Sequence, residues 1–115
     1  MWLFFSNSML SIVRKPNQRP GTLTVRARTA GDIERVFPSV KVAKTPKADY
    51  AYRAVIPGGD IALALTSAVE ALDYDNFKDS VAESDRHDAY VGVWDEMWRF
   101  QQARMAGQHS VARDT

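Results

Sequence analysis

The residues here that could do chemistry are chiefly arginines, lysines, carboxylates and hydroxyls, since the chain has no cysteine and only two histidines, His87 and His109. Disulfides, thiolate metal sites and cysteine nucleophiles are therefore excluded. The clearest basic pattern is Thr22 to Arg28, TLTVRAR, where Leu23, Val25 and Ala27 alternate with Thr22, Thr24, Arg26 and Arg28. In an extended strand such alternation sends the arginines to one face and the aliphatics to the other. Arg53, within DYAYRAVI, joins them if its strand is a neighbour, and Arg14 and Lys44 flank the group. A guanidinium offers five donors in a planar fork that suits phosphate and carboxylate groups. The expected partner-binding surface is thus a basic sheet face of Arg14, Arg26, Arg28, Lys44 and Arg53, fit for nucleic acid or an acidic protein surface. Sheet-based RNA readers also carry aromatics on which bases stack. Here the alternation puts Tyr50 and Tyr52 on the parity opposite to Arg53, and a solvated face partly paired to acids is the plain alternative.

The second charged group is acidic. Asp75, Asp79, Glu83, Asp85 and Asp88 form an expected rim, with Asp73 just before them. Asp73-x-Asp75 starts like an EF-hand loop, but Phe77 takes the third ligand position and the obligatory glycine is missing. His87-Asp88 has no second histidine within a helical turn, so no metal site is expected. Helix capping and a solvated acidic rim account for these acids, and the rim is a second candidate for partner binding. A metal-dependent hydrolase built on Asp73 to Asp88 is the least favoured reading. Gly58-Gly59 is too short for a phosphate loop, and no base is spaced to activate a nucleophile. The chain is expected to be a non-enzyme without a cofactor.

The elements that must position these residues follow from periodicity. Trp2 to Phe5 and Met9 to Lys15 read as extended, separated by a turn or bulge at Ser6 to Ser8. Pro16 to Gly21 is a turn by composition, so Thr22 to Arg28 returns as a hairpin partner. Thr29 and Asp32 have capping-box spacing ahead of a short helix that Pro38 stops. Val40 to Lys44 and Asp49 to Ile56 are further strands. Asp60 is placed to cap a helix through Leu72 with Ile61, Leu65, Ala68, Val69 and Leu72 inward. Ser84 opens a long terminal helix to Met105 whose Tyr90, Trp94, Met97, Trp98 and Gln101 share one face. Core closure over the sheet is expected of Trp94 and Trp98, with Trp2 and Phe5 as complements. The fold class is α+β: a mostly antiparallel sheet of four to five strands, two to three helices on one face, and a long C-terminal helix. Residues 1–105 are expected to form a single domain and 106–115 a flexible tail.

With 115 residues, 45% hydrophobic and 25% charged, the composition is that of a soluble globular protein. No signal peptide or membrane span is expected, since the apolar run at the N-terminus is only four residues long. The net charge of +1 conceals a polarity: residues 1–53 hold ten Lys/Arg against three acids, and residues 54–115 hold five against eleven. Opposed basic and acidic faces allow a polyanionic partner, and also a homodimer in which the faces meet.

Six blocks carry a resemblance: Leu10-Ser-Ile-Val13, Leu23-Thr-Val-Arg-Ala-Arg28, Gly31-Asp-Ile-Glu-Arg-Val-Phe-Pro38, Asp49-Tyr-Ala-Tyr-Arg53, Asp75-Asn-Phe-Lys-Asp79 and Arg86-His-Asp-Ala-Tyr90. Over residues 9 to 99 they resemble a family of small uncharacterised proteins of bacteria, prophages and phages. The resemblance implies one compact unit and transfers no catalytic residue. In size, charge polarity and lack of cysteine the chain is also similar in type to phage inhibitors of host defence, anti-CRISPR proteins among them. That likeness implies a cytoplasmic binding protein acting by steric and electrostatic blockade of a host protein or ribonucleoprotein. Nucleic-acid binding through the basic face is the alternative.

Overall fold

The sheet is built by hairpins in chain order and then by one return. In the computed structural model, which describes the backbone of residues 1–114 and the side chains of residues 1–107, β1 (Trp2–Phe5) pairs with β2 (Ser8–Val13) from Phe5↔Ser8 to Trp2↔Ser11. The Ser6-Asn7 turn between them leaves no room for a bulge. β2 then pairs with β3 (Thr22–Ala27), with Ile12 opposite Val25. The chain leaves the sheet through α1 (Asp32–Val36) and returns as β4 (Ala43–Lys44) and β5 (Tyr52–Pro57). β5 pairs with β3 and β4 closes the far edge, so the order is β1-β2-β3-β5-β4, antiparallel throughout. α2 (Gly58–Glu70) follows β5 without a connecting loop. The α+β class with an antiparallel sheet and a long final helix is as the sequence indicates.

Register explains the core. Leu10, Ile12, Val25, Ala27, Ala54 and Ile56 point to one face, where they meet Ile33 and Phe37 from the α1 segment and Ile61 from α2. Both of these helices therefore cover the same side of the sheet. Leu10, Val25, Ala27 and Ile33 are wholly buried. The reading of Leu23, Val25 and Ala27 as one face of a strand holds.

Three local expectations do not hold. The Thr29–Asp32 capping box is not formed: α1 is capped by Gly31 in the left-handed region (φ 89°), and the Thr29 carbonyl accepts the Asp32 N–H. Glycine meets that φ without the Cβ clash other residues suffer. The Asp32 side chain is thereby released for a tertiary role. Asp60 does not cap α2, whose N-cap is Pro57, and sits inside the first turn. Of the stripe expected on α2, Ile61 is buried and Leu65 packs against the core, but Val69 and Leu72 are exposed. The helix ends at Glu70, before the stripe would have completed another turn against the sheet.

The chain divides into two compact units, Met1–Asp75 and a second from Asn76 onward. In the second, a 3-10 turn at Lys78–Ser80 precedes α3 (Ser84–Asp114), which runs on past Met105. The His87 N–H bonds the Glu83 carbonyl at 2.8 Å to start the helix. Phe77 stacks on Tyr90 at 5.6 Å, and the buried Arg86 bonds Glu83 and donates to the Tyr90 hydroxyl. Trp94 and Trp98 are the clear correction. They stack on each other, one turn apart, yet each is 47% exposed, and Met97, Phe100 and Met105 are more so. The core of the first unit is filled by aliphatics and Phe37. Helical periodicity identifies an apolar face but does not supply the surface that covers it.

Candidate functional site

The pairing of β3 with β5 sets Arg26 directly opposite Arg53. Like charges in that position repel. Asp49 relieves the repulsion: its carboxylate lies 2.8 Å from Arg53 Nη2 and 3.9 Å from Arg26 Nη1. Arg26 also donates to the Ser11 hydroxyl at 2.7 Å, and Ser11 is its cross-strand neighbour on β2. Arg28, just beyond β3, donates to the Asp49 carbonyl at 3.0 Å. Three of the arginines singled out by alternation thus gather about one residue. Arg26 and Arg53 share its carboxylate, which is itself 68% exposed, so the solvated acid holds each pair weakly. Arg26 and Arg53 keep only 12% and 24% of their side chains in solvent, and the Nε–H of each is buried with no acceptor. Orphaned donors of this sort are uncommon in folded proteins and mark a place under-supplied with negative charge.

Tyr50 is the residue that strand alternation misplaces. It precedes β5 in an irregular bend, and its buried ring meets both the Arg26 and the Arg28 guanidinium groups, 4.4 and 4.2 Å from the ring centre. Period-two alternation applies only inside a strand, and Tyr50 is outside one. Its own N–H is taken by the Asp49 carboxylate at 3.0 Å. Cation–π attraction to this one ring helps hold the two arginines in place.

The same register places aromatics on the arginine face. Trp2 opposes Ser11, which opposes Arg26, which opposes Arg53, which opposes Ala43, a single rung across all five strands. Residues opposed in a rung share a face. Trp2, 65% exposed, and Phe4, two residues on, therefore lie on the arginine side. Sequence reasoning set Trp2 as a core complement and missed this, since the β1–β2 register was needed to fix its face. Lys44 opposes Tyr52 and so has the other parity, and Arg14 lies beyond the end of β2; neither belongs to the rung. Both are exposed, as are Lys41 and Lys47 around the short edge strand.

The acidic rim is not gathered into a site. Glu83 pairs with Arg86 at 3.2 Å, the Asp85 carboxylate accepts the Arg86 N–H, Asp88 lies 3.7 Å from His87 Nδ1, and Asp75 and Asp79 stand exposed. Among the described residues no three His, Cys, Asp or Glu side chains come together at metal-binding distance. The side chain of His109 lies outside the described residues. Among the described residues no helix is long and apolar enough to cross a membrane. No family model, no curated protein and no solved structure matches the chain.

Proposed function

We propose that this chain is a non-enzymatic binding protein whose working surface is the face of its sheet that bears Arg26, Arg28 and Arg53. The observation that carries the reading is the charge imbalance on that face: three guanidinium groups gather about Asp49, whose one exposed carboxylate serves Arg26 and Arg53 while Arg28 bonds its carbonyl. An acidic group from a partner competes with Asp49 for the Nη donors of Arg26 and Arg53 and for exposed Arg28, and desolvation on docking strengthens the exchange. The resemblance to phage and prophage proteins makes the partner a host protein or ribonucleoprotein in the cytoplasm, blocked in the manner of an inhibitor of host defence. Pull-down with the wild-type chain and with Arg28→Glu tests this, because Arg28 is exposed and lies outside the hydrophobic core cluster, and circular dichroism checks that the variant is folded. Stoichiometric recovery of one complex by the wild type and its loss with Arg28→Glu is the expected result. Equal recovery by both would remove the arginine face from the account.

A second reading is favoured by Trp2 and Phe4, which supply on that face the aromatic platform that single-stranded nucleic acid uses. It requires a mobility shift of a labelled single-stranded oligonucleotide that weakens steeply with salt and disappears on Trp2→Ala. A shift that Trp2→Ala leaves unchanged would dispose of stacking, and no shift at low salt would dispose of the reading.

A further inference from the structure

The link between β2 and β3 runs over residues 14–21, far more chain than a tight antiparallel hairpin needs. The surplus is folded back onto the arginine side of the sheet. The Gln18 side chain donates to the Thr22 hydroxyl at 2.9 Å, accepts from the Thr24 hydroxyl at 2.7 Å, and accepts the Lys15 N–H at 3.2 Å. Thr22 and Thr24 share the parity of Arg26 within β3, so the loop they hold is anchored on its face. The Thr22 N–H closes on the Arg19 carbonyl at 3.3 Å. The chain turns through Asn17 in the left-handed region (φ 64°), which asparagine adopts more readily than most residues. A loop already held in shape loses little freedom when a partner docks.

This loop carries Arg14, Lys15 and Arg19, all exposed, and among the described residues none of the three is in an ion pair. No Asp or Glu precedes Asp32 in the chain. The loop's anchor at Thr22 is four residues along β3 from Arg26, about 14 Å at 3.4 Å per residue. Between the two basic groups stand Thr24 and its cross-strand neighbour Val55, which is 58% exposed, and Trp2, 65% exposed, shares the Arg26 rung. A lone carboxylate or phosphate reaches one of these groups only. A ligand that uses both carries negative charge at intervals along its length.

We infer that the β2–β3 loop is the second half of the arginine face, and that the two together hold the phosphodiester backbone of a single-stranded nucleic acid. The inference rests on the nucleic-acid reading given above and adds Lys15 and Arg19 to it. Guanidinium forks match phosphate oxygens two at a time, and lysine binds phosphate as a point charge. The apolar side chains beside the cations favour this ligand over an acidic protein segment. A base has a flat face to lay on Trp2 whatever its identity, whereas Asp and Glu side chains supply charge alone. Contacts to backbone and base faces leave the sequence largely unread.

Fluorescence anisotropy of a short labelled oligothymidylate, titrated with the full chain over a series of salt concentrations, tests this. Each phosphate contact contributes ~0.7 to the slope of log affinity against log salt on a single strand. Lys15→Gln with Arg19→Gln should therefore lower the slope by about 1.4 and weaken binding ~25-fold at 0.1 M salt. The loop's own bonds run through the Lys15 N–H and the Arg19 carbonyl, which glutamine keeps, and circular dichroism checks that the variant is folded. Lys78→Gln with Arg104→Gln makes the same change of charge in the second unit and should leave the slope as it is. A wild-type slope in the loop variant, while Arg28→Glu still weakens binding, strikes the loop and spares the arginine face. An equal fall in the control shows net charge rather than a site, and overturns the inference. Polyglutamate bound as tightly as the oligonucleotide at equal salt would make the ligand an acidic protein, which also overturns it. No binding of the oligonucleotide at low salt removes both this inference and the reading beneath it.

Discussion

Removing the carboxylate of Asp32 should be among the most damaging single changes outside the hydrophobic core. Asp32 is 1% exposed, and its Oδ2 accepts the Met9 N–H at 2.9 Å while Oδ1 accepts Arg35 Nη1 at 3.1 Å. Arg35 in turn donates to the Asn7 carbonyl at 2.7 Å. The location explains the need. β3 pairs with β2 only as far as Ser11↔Arg26, and the chain then turns away into α1. Met9, two residues beyond Ser11, would be left with an amide pointing at a strand that has gone, and Asp32 replaces the missing acceptor. Asp32→Ala removes a charge-assisted bond worth about 1.5–3 kcal/mol and orphans a partly buried N–H at a further ~1 kcal/mol or more. The expected loss is roughly 3–4 kcal/mol, a large fraction of the 5–15 kcal/mol that holds a domain together. Asp32→Asn keeps an acceptor for Met9 and gives up only the ionic part, about 1–2 kcal/mol. Arg35→Met, whose side chain is 40% exposed, takes the same ion pair from its solvated end and costs about 1 kcal/mol. Urea titrations followed by circular dichroism give all three values, with unchanged m confirming that the unfolded state is comparable. A loss below ~1 kcal/mol for Asp32→Ala would show that water replaces the carboxylate, and the account of the β3 exit would fail.

Two further outcomes separate the core from the surface. Ile56→Ala, at a position 1% exposed in the centre of the sheet, should lose about 2–5 kcal/mol, whereas Trp94→Ala, starting from 47% exposure, should change stability by no more than ~1 kcal/mol in a dilute sample. Denaturation curves of equal displacement would mean that Trp94 is core after all. Gly31→Ala should cost about 1–2 kcal/mol, because φ of 89° is strained for any Cβ even though only Arg35 lies near the added atom. A neutral melting temperature there would mean that α1 can be entered by another backbone route.

Period-two alternation was enough to identify the β3 strand and its buried face, because Leu23, Val25 and Ala27 follow it without interruption. It failed two residues outside β5, where a bend frees Tyr50 to turn toward the arginines. The convergence of Arg26 and Arg53 was open to reasoning only as a condition on strand neighbours, since residues 28–51, with the α1–β4 excursion, separate two strands that pair. Trp2 was unreadable for a related reason. A four-residue edge strand of WLFF has no polar alternation, and only its register with β2 assigns a face. The capping motifs misled because Thr29 and Asp32 match a local pattern, while the fold uses Asp32 for a contact 23 residues away.

Contacts through Arg26, Arg28 and Arg53 are electrostatic, on a face where the Asp49 carboxylate is already solvated; they weaken as the Debye length shrinks from about 10 Å at 0.1 M salt to about 3 Å at 1 M. A contact made chiefly by removing apolar surface from water behaves in the opposite way, since excluded salts such as sulfate strengthen it. Raising sulfate should therefore release an acidic partner from the sheet. A partner that stays bound in high salt would reverse the assignment. The arginine cluster would then be a buttress for the Asp49–Tyr50 bend, and the partner would dock on apolar surface elsewhere.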